Sequence, residues 1–151
     1  MIKKIKPALF LHIQKTAGTS VQEMAREAYG NENVVSHGDF QTLGQEGCRK
    51  VPFLSGHFGF AFAQPLMEGR YCFVFLRNPV ERLISLYHFC KTRPPEQHPI
   101  YALAHREDLC GFLDDRHGEL HRSCIWNNQA WQLTRGRGEE MVGLTPEGGW
   151  D

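Results

Sequence analysis

Residues 8–30 read ALFLHIQKTAGTSVQEMAREAYG. The first part, residues 8–13, is an apolar run that follows Pro7 and predicts a buried strand. Residues 19–29 predict a helix, because small and apolar side chains recur there at spacings of three and four residues, and Gly30 supplies a stop. A strand, a loop of small and polar residues and a helix thus follow one another, which is the repeating unit of an α/β fold.

A second unit of this kind begins at residues 71–76, which read YCFVFL. An unbroken apolar run is typical of a strand buried on both faces of a parallel sheet. Asn78 can cap the helix that follows, and Pro79 suits its first turn. Weaker strands are predicted at residues 34–35 and 51–55. We therefore predict an α/β fold with a central parallel sheet flanked by helices.

The C-terminal part of the chain is predicted to be mainly helical. Its helices are expected at residues 108–114 and 123–133, and residues 136–151 are expected to be a loop or a frayed tail. A chain of 151 residues is long enough for one hydrophobic core. We therefore expect a single domain over residues 1–151.

Charge and cysteine content narrow the class of partner and the compartment. The seventeen Lys and Arg residues balance the seventeen Asp and Glu residues, so no bulk field favours nucleic acid or an acidic membrane. The apolar run at residues 8–13 is too short for a membrane span, which needs about 20 apolar residues, and lacks a signal-peptide cleavage site. The five cysteines are odd in number and include no C-x-x-C pair, which favours reduced thiols and a cytoplasmic location.

The loop between the first strand and its helix has the composition of a phosphate cradle. A helix N-terminus presents backbone N–H groups and a partial positive charge, and small side chains let an anion approach them. A lysine adds positive charge, and hydroxyl groups add donors. The candidate anion-binding residues are Lys15, Thr16, Ala17, Gly18, Thr19 and Ser20. The alternative is an ordinary turn in which Thr19 or Ser20 merely caps the helix.

The order of residues in this loop argues against an ATP-binding loop of the Walker A type. That loop has the pattern G-x-x-x-x-G-K-S/T, in which the lysine follows the second glycine. Here Lys15 precedes Gly18, and Thr19 follows the glycine. A P-loop kinase-like enzyme is therefore disfavoured.

A second candidate anion site follows the predicted strand at residues 71–76. Arg77 stands at the end of this strand, and Ser85 lies two helical turns further on. An arginine presents a planar fork of donors that matches phosphate oxygens, and a serine hydroxyl can complete the site. The alternative is an ion pair between Arg77 and an acidic residue at the rim of the sheet. Because ligands of α/β sheets bind at the carboxyl ends of strands, two anion motifs at such ends support each other.

Together the two motifs resemble the sulfotransferase superfamily. The first is HIQKTAGTS at residues 12–20, and the second is LRNPVERLISLY at residues 76–87. The first motif is closest to the carbohydrate branch typified by heparan sulfate 2-O-sulfotransferases, and the chain resembles a bacterial-type member of that branch. The second motif also resembles the cytosolic small-molecule branch. The resemblance implies a P-loop-like three-layer fold.

The resemblance also implies the cofactor and the reaction. The donor would be 3′-phosphoadenosine 5′-phosphosulfate (PAPS), which leaves 3′-phosphoadenosine 5′-phosphate (PAP) after transfer. Residues 15–20 would hold the 5′-phosphosulfate, and Arg77 and Ser85 would hold the 3′-phosphate. Lys15 would also have a catalytic role in stabilising developing charge. The acceptor would be a hydroxyl group, preferably on a carbohydrate.

Two further segments resemble parts of the same family. Residues 55–59, SGHFG, resemble the segment in which the carbohydrate branch keeps its catalytic base. His57 is the candidate, because an imidazole with the usual pKa near ~6.5 can accept a hydroxyl proton at neutral pH; an ordinary core or surface histidine is the alternative. Residues 127–133, NNQAWQL, resemble a helix of many bacterial members but have Trp131 where those usually have arginine. We assign no catalytic role to this helix.

No metal site is predicted. The candidate ligands lack the paired spacing of zinc sites, and they are His105, Cys110, His117, His121 and Cys124.

The length of the chain leaves open whether it catalyses sulfuryl transfer. Family members are usually longer, and the resemblance covers roughly residues 8–133. The chain is then a compact member, a fragment shortened at its C-terminus, or a degenerate copy. In the last case its function would be that of a module that binds PAPS, PAP or another nucleotide without transferase activity.

Overall fold

A parallel sheet organises the computed structural model of the chain, which describes residues 5–36, 39–114, 116, 118 and 124–134. Its strands are β1 (Ala8–Leu11), β2 (Val34–Val35), β3 (Phe53–Gly56) and β4 (Tyr71–Phe73). Their order is β2-β3-β1-β4, and each pairing is parallel. Phe10 of β1 is in register with Ser55 of β3 on one side and with Phe73 of β4 on the other.

The winding of the sheet reverses beside β1. The chain passes from β1 to β2 at one edge, returns through β3, and then crosses to β4 on the other side of β1. In an open parallel sheet such a reversal creates a crevice outside the carboxyl ends of the strands. Ligand-binding residues are therefore expected in the loops that follow β1, β3 and β4.

Helices follow the strands and cover the sheet. They are α1 (Gly18–Tyr29), α2 (Asp39–Lys50), α3 (Phe60–Ala63), α4 (Pro79–Lys91), α5 (Pro99–Arg106), α6 (Leu109–Phe112) and α7 (Asn128–Thr134). Among the described residues, those after β4 form helices joined by turns and irregular segments such as residues 74–78. The predicted α/β architecture with a mainly helical C-terminal part is confirmed.

Alternation along β1 explains how both faces of the sheet are covered. Leu9 and Leu11 belong to a core cluster that includes Phe40 of α2. Phe10 belongs to a different cluster that includes Ala25 of α1. Because successive strand residues point to opposite faces, β1 is buried from both sides. Each large apolar side chain buried in this way contributes about 1.5–3 kcal/mol to folding.

The strand predicted at residues 71–76 is wrong in its length and in its burial. β4 ends at Phe73, and Tyr71 and Leu76 are 63% and 61% exposed. Within the described sheet β4 pairs with β1 alone, whereas burial on both faces is typical of an inner strand. An apolar run indicates a strand, but it does not reveal whether that strand has one neighbour or two.

Helix boundaries differ from the prediction in several places. α6 is shorter than the helix predicted at residues 108–114, and α7 begins at Asn128, five residues after the predicted start, which lies outside the described residues. α2 was missed, because glycines such as Gly44, where φ is 61° and the helix is broken, weaken a helical pattern. The tail predicted at residues 136–151 also lies outside the described residues.

The longest helix of the described residues, α4, has 13 residues. Within the same residues, none of the helices has the combined length and apolar character needed to cross a bilayer.

Arg70 connects the segments at the amino end of the sheet. Its guanidinium donates hydrogen bonds to the carbonyl oxygen of Val51 at 2.7 Å and to those of Cys48 and Arg49 at 3.0 Å. Cys48 and Arg49 lie in the last turn of α2, where carbonyl groups lack partners within the helix. Arg70, which immediately precedes β4, therefore donates hydrogen bonds to the carbonyl groups at the end of α2 and just before β3.

Replacing Arg70 with methionine should lower the free energy of unfolding by about 2–3 kcal/mol, because a charged donor is removed from several carbonyl groups. Urea denaturation followed by circular dichroism measures this change. Arg26→Met is the control, since Arg26 is exposed on α1, and it should change the free energy by less than about 0.5 kcal/mol. Equal effects of the two substitutions would contradict the role given to Arg70.

Candidate active site

Three loops meet at the carboxyl edge of the sheet. They follow β1, β3 and β4, which are neighbours and parallel, so their ends lie side by side. His57 Nδ1, after β3, lies 2.6 Å from the carbonyl oxygen of His12, after β1. Arg77 Nη1, after β4, donates to the carbonyl oxygen of Lys15 at 3.4 Å. The two anion motifs and the candidate base are therefore in contact through the loop that follows β1.

A cavity of about 580 Å³ lies at this edge. The predicted site residues on its wall are Lys15, Ala17, Gly18, Thr19, His57, Arg77 and Ser85. The other residues on the wall are His12, Gln14, Gln22, Gln41, Leu86, Phe89, Arg93, His98, Ile100, Tyr101 and Cys124.

Thr16 and Ser20, which the sequence also predicted as anion-binding residues, do not line the cavity. Thr16 is buried, and its hydroxyl donates to the carbonyl oxygen of Ile13 at 2.8 Å, which fixes the turn. Ser20 is exposed in the first turn of α1. The structure therefore brings together four of the six residues of the first motif with both residues of the second.

The wall of the cavity carries positive charge. Lys15, Arg77 and Arg93 line it, three imidazoles accompany them, and no Asp or Glu of the described residues does so. The chain as a whole has equal numbers of acidic and basic residues, so this is a local separation of charge. Positive potential in a concave site attracts anionic ligands.

Arg77 also forms the ion pair that was the alternative to an anion site. Its Nε lies 3.4 Å from Oε2 of Glu81, one turn along α4. The side chains of Arg77 and Glu81 are 39% and 64% exposed, and an exposed ion pair contributes little to stability. Such a pair leaves Arg77 on the cavity wall, where its Nη1 donates to the Lys15 carbonyl of the loop after β1.

The backbone of the first loop adopts an unusual conformation. Lys15 and Ala17 have φ angles of 66° and 68°, in the left-handed region that residues other than glycine rarely occupy. Ala17 stands at the cap of α1, and its methyl side chain makes no hydrogen bond to the first N–H groups of that helix. The alternative in which Thr19 or Ser20 caps the helix is therefore wrong. Strained backbone and a helix N-terminus at a cavity are typical of an anion site.

Close packing explains the glycine in this loop. A Cβ atom at Gly18 would lie 1.6 Å from Nε2 of His12. The His12 ring is buried, stacks on Phe10 with 5.2 Å between ring centroids, and lies 4.4 Å from the ring of His57. Glycine at position 18 therefore lets the His12 ring lie against the start of α1.

The hydrogen bond of His57 determines which ring nitrogen carries the proton. The carbonyl oxygen of His12 can only accept, so Nδ1 of His57 donates to it. In the neutral ring Nε2 is then the nitrogen with the lone pair. This tautomer is the one that a general base acting through Nε2 requires.

Burial lowers the pKa of Lys15, and the nearby cations Arg77 and Arg93 lower it further. The ammonium group lies 4.0 Å from the centroid of the Phe89 ring, which also contacts Arg93 at 4.6 Å. Burial raises the pKa of Cys90 to about 12, so this thiol is neutral at neutral pH. A bound anion would stabilise the charged form of Lys15.

The model of the Sulfotransferase family matches residues 1–133 of the chain. The chain belongs to the sulfotransferase family. No curated protein and no solved structure matches it. The resemblance carried by residues 12–20 and 76–87 is confirmed at the level of the family, and sulfuryl transfer is the reaction class that the family supports.

The structure adds functional candidates to this sulfotransferase site that the motifs did not contain. Gln129 of α7 exchanges two hydrogen bonds with the main chain of Arg77, at 3.0 and 2.9 Å. Gln132 of α7 donates to the carbonyl oxygen of His12 at 3.1 Å. The resemblance of residues 127–133 to a family helix pointed to this segment, but nothing in the sequence indicated which loops its amides contact.

Metal ligation receives no support from the described residues, which contain no group of three His, Cys, Asp or Glu side chains placed to hold an ion. His117 and His121, two of the candidate ligands considered from the sequence, lie outside those residues. The absence of a metal from this sulfotransferase therefore stays a prediction.

Replacing Gly18 with alanine should displace the His12 ring and lower the free energy of unfolding by about 1–3 kcal/mol, because the new methyl group overlaps that ring. Chemical denaturation measures the loss, and the imidazole signals of His12 in the NMR spectrum report the displacement. Glu23→Ala, at an exposed position of the same helix, is the control and should leave both unchanged. A Gly18→Ala protein with unaltered stability and His12 signals would contradict the packing described above.

Proposed function

We propose that this member of the sulfotransferase family transfers a sulfuryl group from PAPS to a hydroxyl acceptor. The observation that carries the proposal is a single cavity whose wall joins Lys15 and Gly18 to Arg77 and Ser85. PAPS carries anionic groups on both the 5′ and the 3′ side of its ribose, so it needs two anion sites within one cavity. ATP lacks a 3′-phosphate and would leave the second site empty.

The proposed donor site uses backbone and side chains together. Lys15 and the backbone N–H groups at the start of α1 would hold the 5′-phosphosulfate. Arg77 and Ser85 would hold the 3′-phosphate. Thr16 and Ser20, whose side chains do not line the cavity, would contribute through the backbone of the loop only.

The proposed reaction is an in-line displacement at sulfur. The acceptor oxygen forms a bond to sulfur while the bond from sulfur to the bridging phosphate oxygen breaks, and PAP leaves. Nε2 of His57 takes the hydroxyl proton, and Lys15 stabilises the charge that grows on the bridging oxygen. The tautomer of His57 and the position of Lys15 on the cavity wall support these roles.

We further propose a carbohydrate as the acceptor and a reducing, cytoplasmic setting. The sequence of residues 12–20 and 55–59 supports the carbohydrate, and the amide side chains on the cavity wall, Gln14, Gln22 and Gln41, suit a ligand rich in hydroxyl groups. The odd number of cysteines supports the reducing setting.

PAP should raise the melting temperature of the protein, whereas ATP with Mg²⁺ should not. Arg77→Ala should weaken PAP binding by on the order of 10–100-fold in isothermal titration, because charged hydrogen bonds to the 3′-phosphate are lost. Arg106→Ala removes an exposed arginine of α5 that does not line the cavity, and it should leave the affinity unchanged. A selective response to ATP, or an unchanged affinity of Arg77→Ala, would contradict the donor assignment.

His57→Ala should bind PAP as the natural protein does and transfer sulfuryl groups about 10²–10⁴-fold more slowly, because the general base is removed. The rate is measured with labelled PAPS and pooled glycans and small phenols as acceptors. His88→Ala, at an exposed position on α4, is the control and should retain full activity. Full activity of His57→Ala would exclude this histidine as the base, and PAP binding without any transfer by the natural protein would indicate a binding module.

A further inference from the structure

Helix α7 reaches the main chain of the loop after β4 through one side chain. Oε1 of Gln129 accepts from the Arg77 N–H at 3.0 Å, and Nε2 of Gln129 donates to the Arg77 carbonyl at 2.9 Å. Arg77 lies beyond the end of β4, so its main chain has no strand partner in the described sheet. The Gln129 amide satisfies both groups, as an adjacent strand would.

One turn further along, α7 reaches the other two loops. Nε2 of Gln132 donates to the carbonyl oxygens of His12 at 3.1 Å and of Phe58 at 3.2 Å. The His12 carbonyl is also the acceptor for Nδ1 of His57. Gln132 therefore fixes the His12 carbonyl group, which orients the His57 ring. It also fixes the main chain of Phe58, the residue that follows His57.

The burial of Gln132 argues for more than a packing role. Its side chain is fully buried, and within the described part of the chain its Oε1 has no hydrogen-bond partner. A buried acceptor without a partner destabilises a protein, and an apolar side chain of similar size would avoid that cost. The neighbouring Leu133 already packs against the core cluster beneath the sheet, so α7 is anchored without Gln132. The two donor contacts of Gln132 are the evident compensation.

We propose that α7 is a positioning helix. In it Gln129 fixes the position of the Arg77 main chain, and Gln132 fixes the orientation of the His57 ring through the carbonyl of His12. The two amides are three residues apart on a helix of 7 residues, so one rigid element fixes the separation between the anion site and the proton-accepting nitrogen. Neither glutamine lines the cavity, and both act through other residues. The roles given to Arg77 and His57 rest on the proposed function.

The experiment compares Gln129→Met with Gln132→Met, using two NMR measurements that require no ligand. These are the hydrogen exchange rate of the Arg77 amide and the tautomer of the His57 ring, read from its ¹⁵N chemical shifts. Thr134→Val is the control, because it removes a hydrogen bond within α7 that does not reach the loops. It should alter neither measurement.

The two variants should give opposite patterns. Gln129→Met should speed exchange of the Arg77 amide by about tenfold or more and leave the His57 ring in its Nδ1–H form. Gln132→Met should shift the His57 ring toward the Nε2–H form that is preferred in solution and leave exchange of the Arg77 amide unchanged. General loosening of α7 would change both measurements in both variants, and that result, or no change in either variant, would overturn the proposal.

Two further measurements complete the test. Gln129→Met should weaken PAP binding by about tenfold, and Gln132→Met should leave it within about twofold. If the natural protein does not bind PAP, the donor assignment fails, while the NMR measurements still decide the positioning role.

If Gln132→Met does not fold, the natural protein itself tests the proposal. The proposal then requires slow exchange of the Gln132 side-chain amide and the Nδ1–H form of His57. Fast exchange of that amide or the Nε2–H form would overturn the proposal.

Discussion

The parallel pairing of β1 with both β3 and β4 is the constraint on which the site depends. Parallel strands end at the same edge, so the loops after these strands have to meet. The carbonyl oxygen of His12, the first residue past β1, then accepts from His57 on one side, and the carbonyl oxygen of Lys15 accepts from Arg77 on the other. A shift in either pairing would separate residues that lie 45 and 62 positions apart along the chain but share one cavity.

The two edges of the sheet use basic side chains in different ways. At the amino edge, the guanidinium of Arg70 donates to carbonyl groups of α2 and of the approach to β3, so its charge is satisfied within the fold. At the carboxyl edge, Lys15 and Arg93 contact the ring of Phe89 and face a cavity whose described wall has no carboxylate. Together with the left-handed backbone at Lys15 and Ala17, this arrangement costs stability, which an anion bound as we propose would restore.

The last described helix completes the site from outside the sheet. α7 contacts the loop after β4 through Gln129 and the loops after β1 and β3 through Gln132. The main chain beyond each strand end has no further strand to bind, and amide side chains can both donate and accept. Their contacts replace the missing backbone partners without adding charge to a cavity that already concentrates positive charge.

The sequence by itself determined the α/β class, the first strand and helix, and the membership of the sulfotransferase family. It also determined the cap of α4, where the Asn78 side chain accepts hydrogen bonds from the N–H groups of Val80 and Glu81. These features depend on local patterns and on the residues of the motifs. The sequence also predicted that Lys15, Gly18, His57, Arg77 and Ser85 belong to one site, and these five residues line one cavity. Only the tertiary structure decided that β4 is an outer strand of the described sheet, that the Thr16 hydroxyl stabilises the turn, and that α7 contacts all three loops. These features depend on contacts between segments distant in sequence, and neither periodicity nor composition records which segments become neighbours.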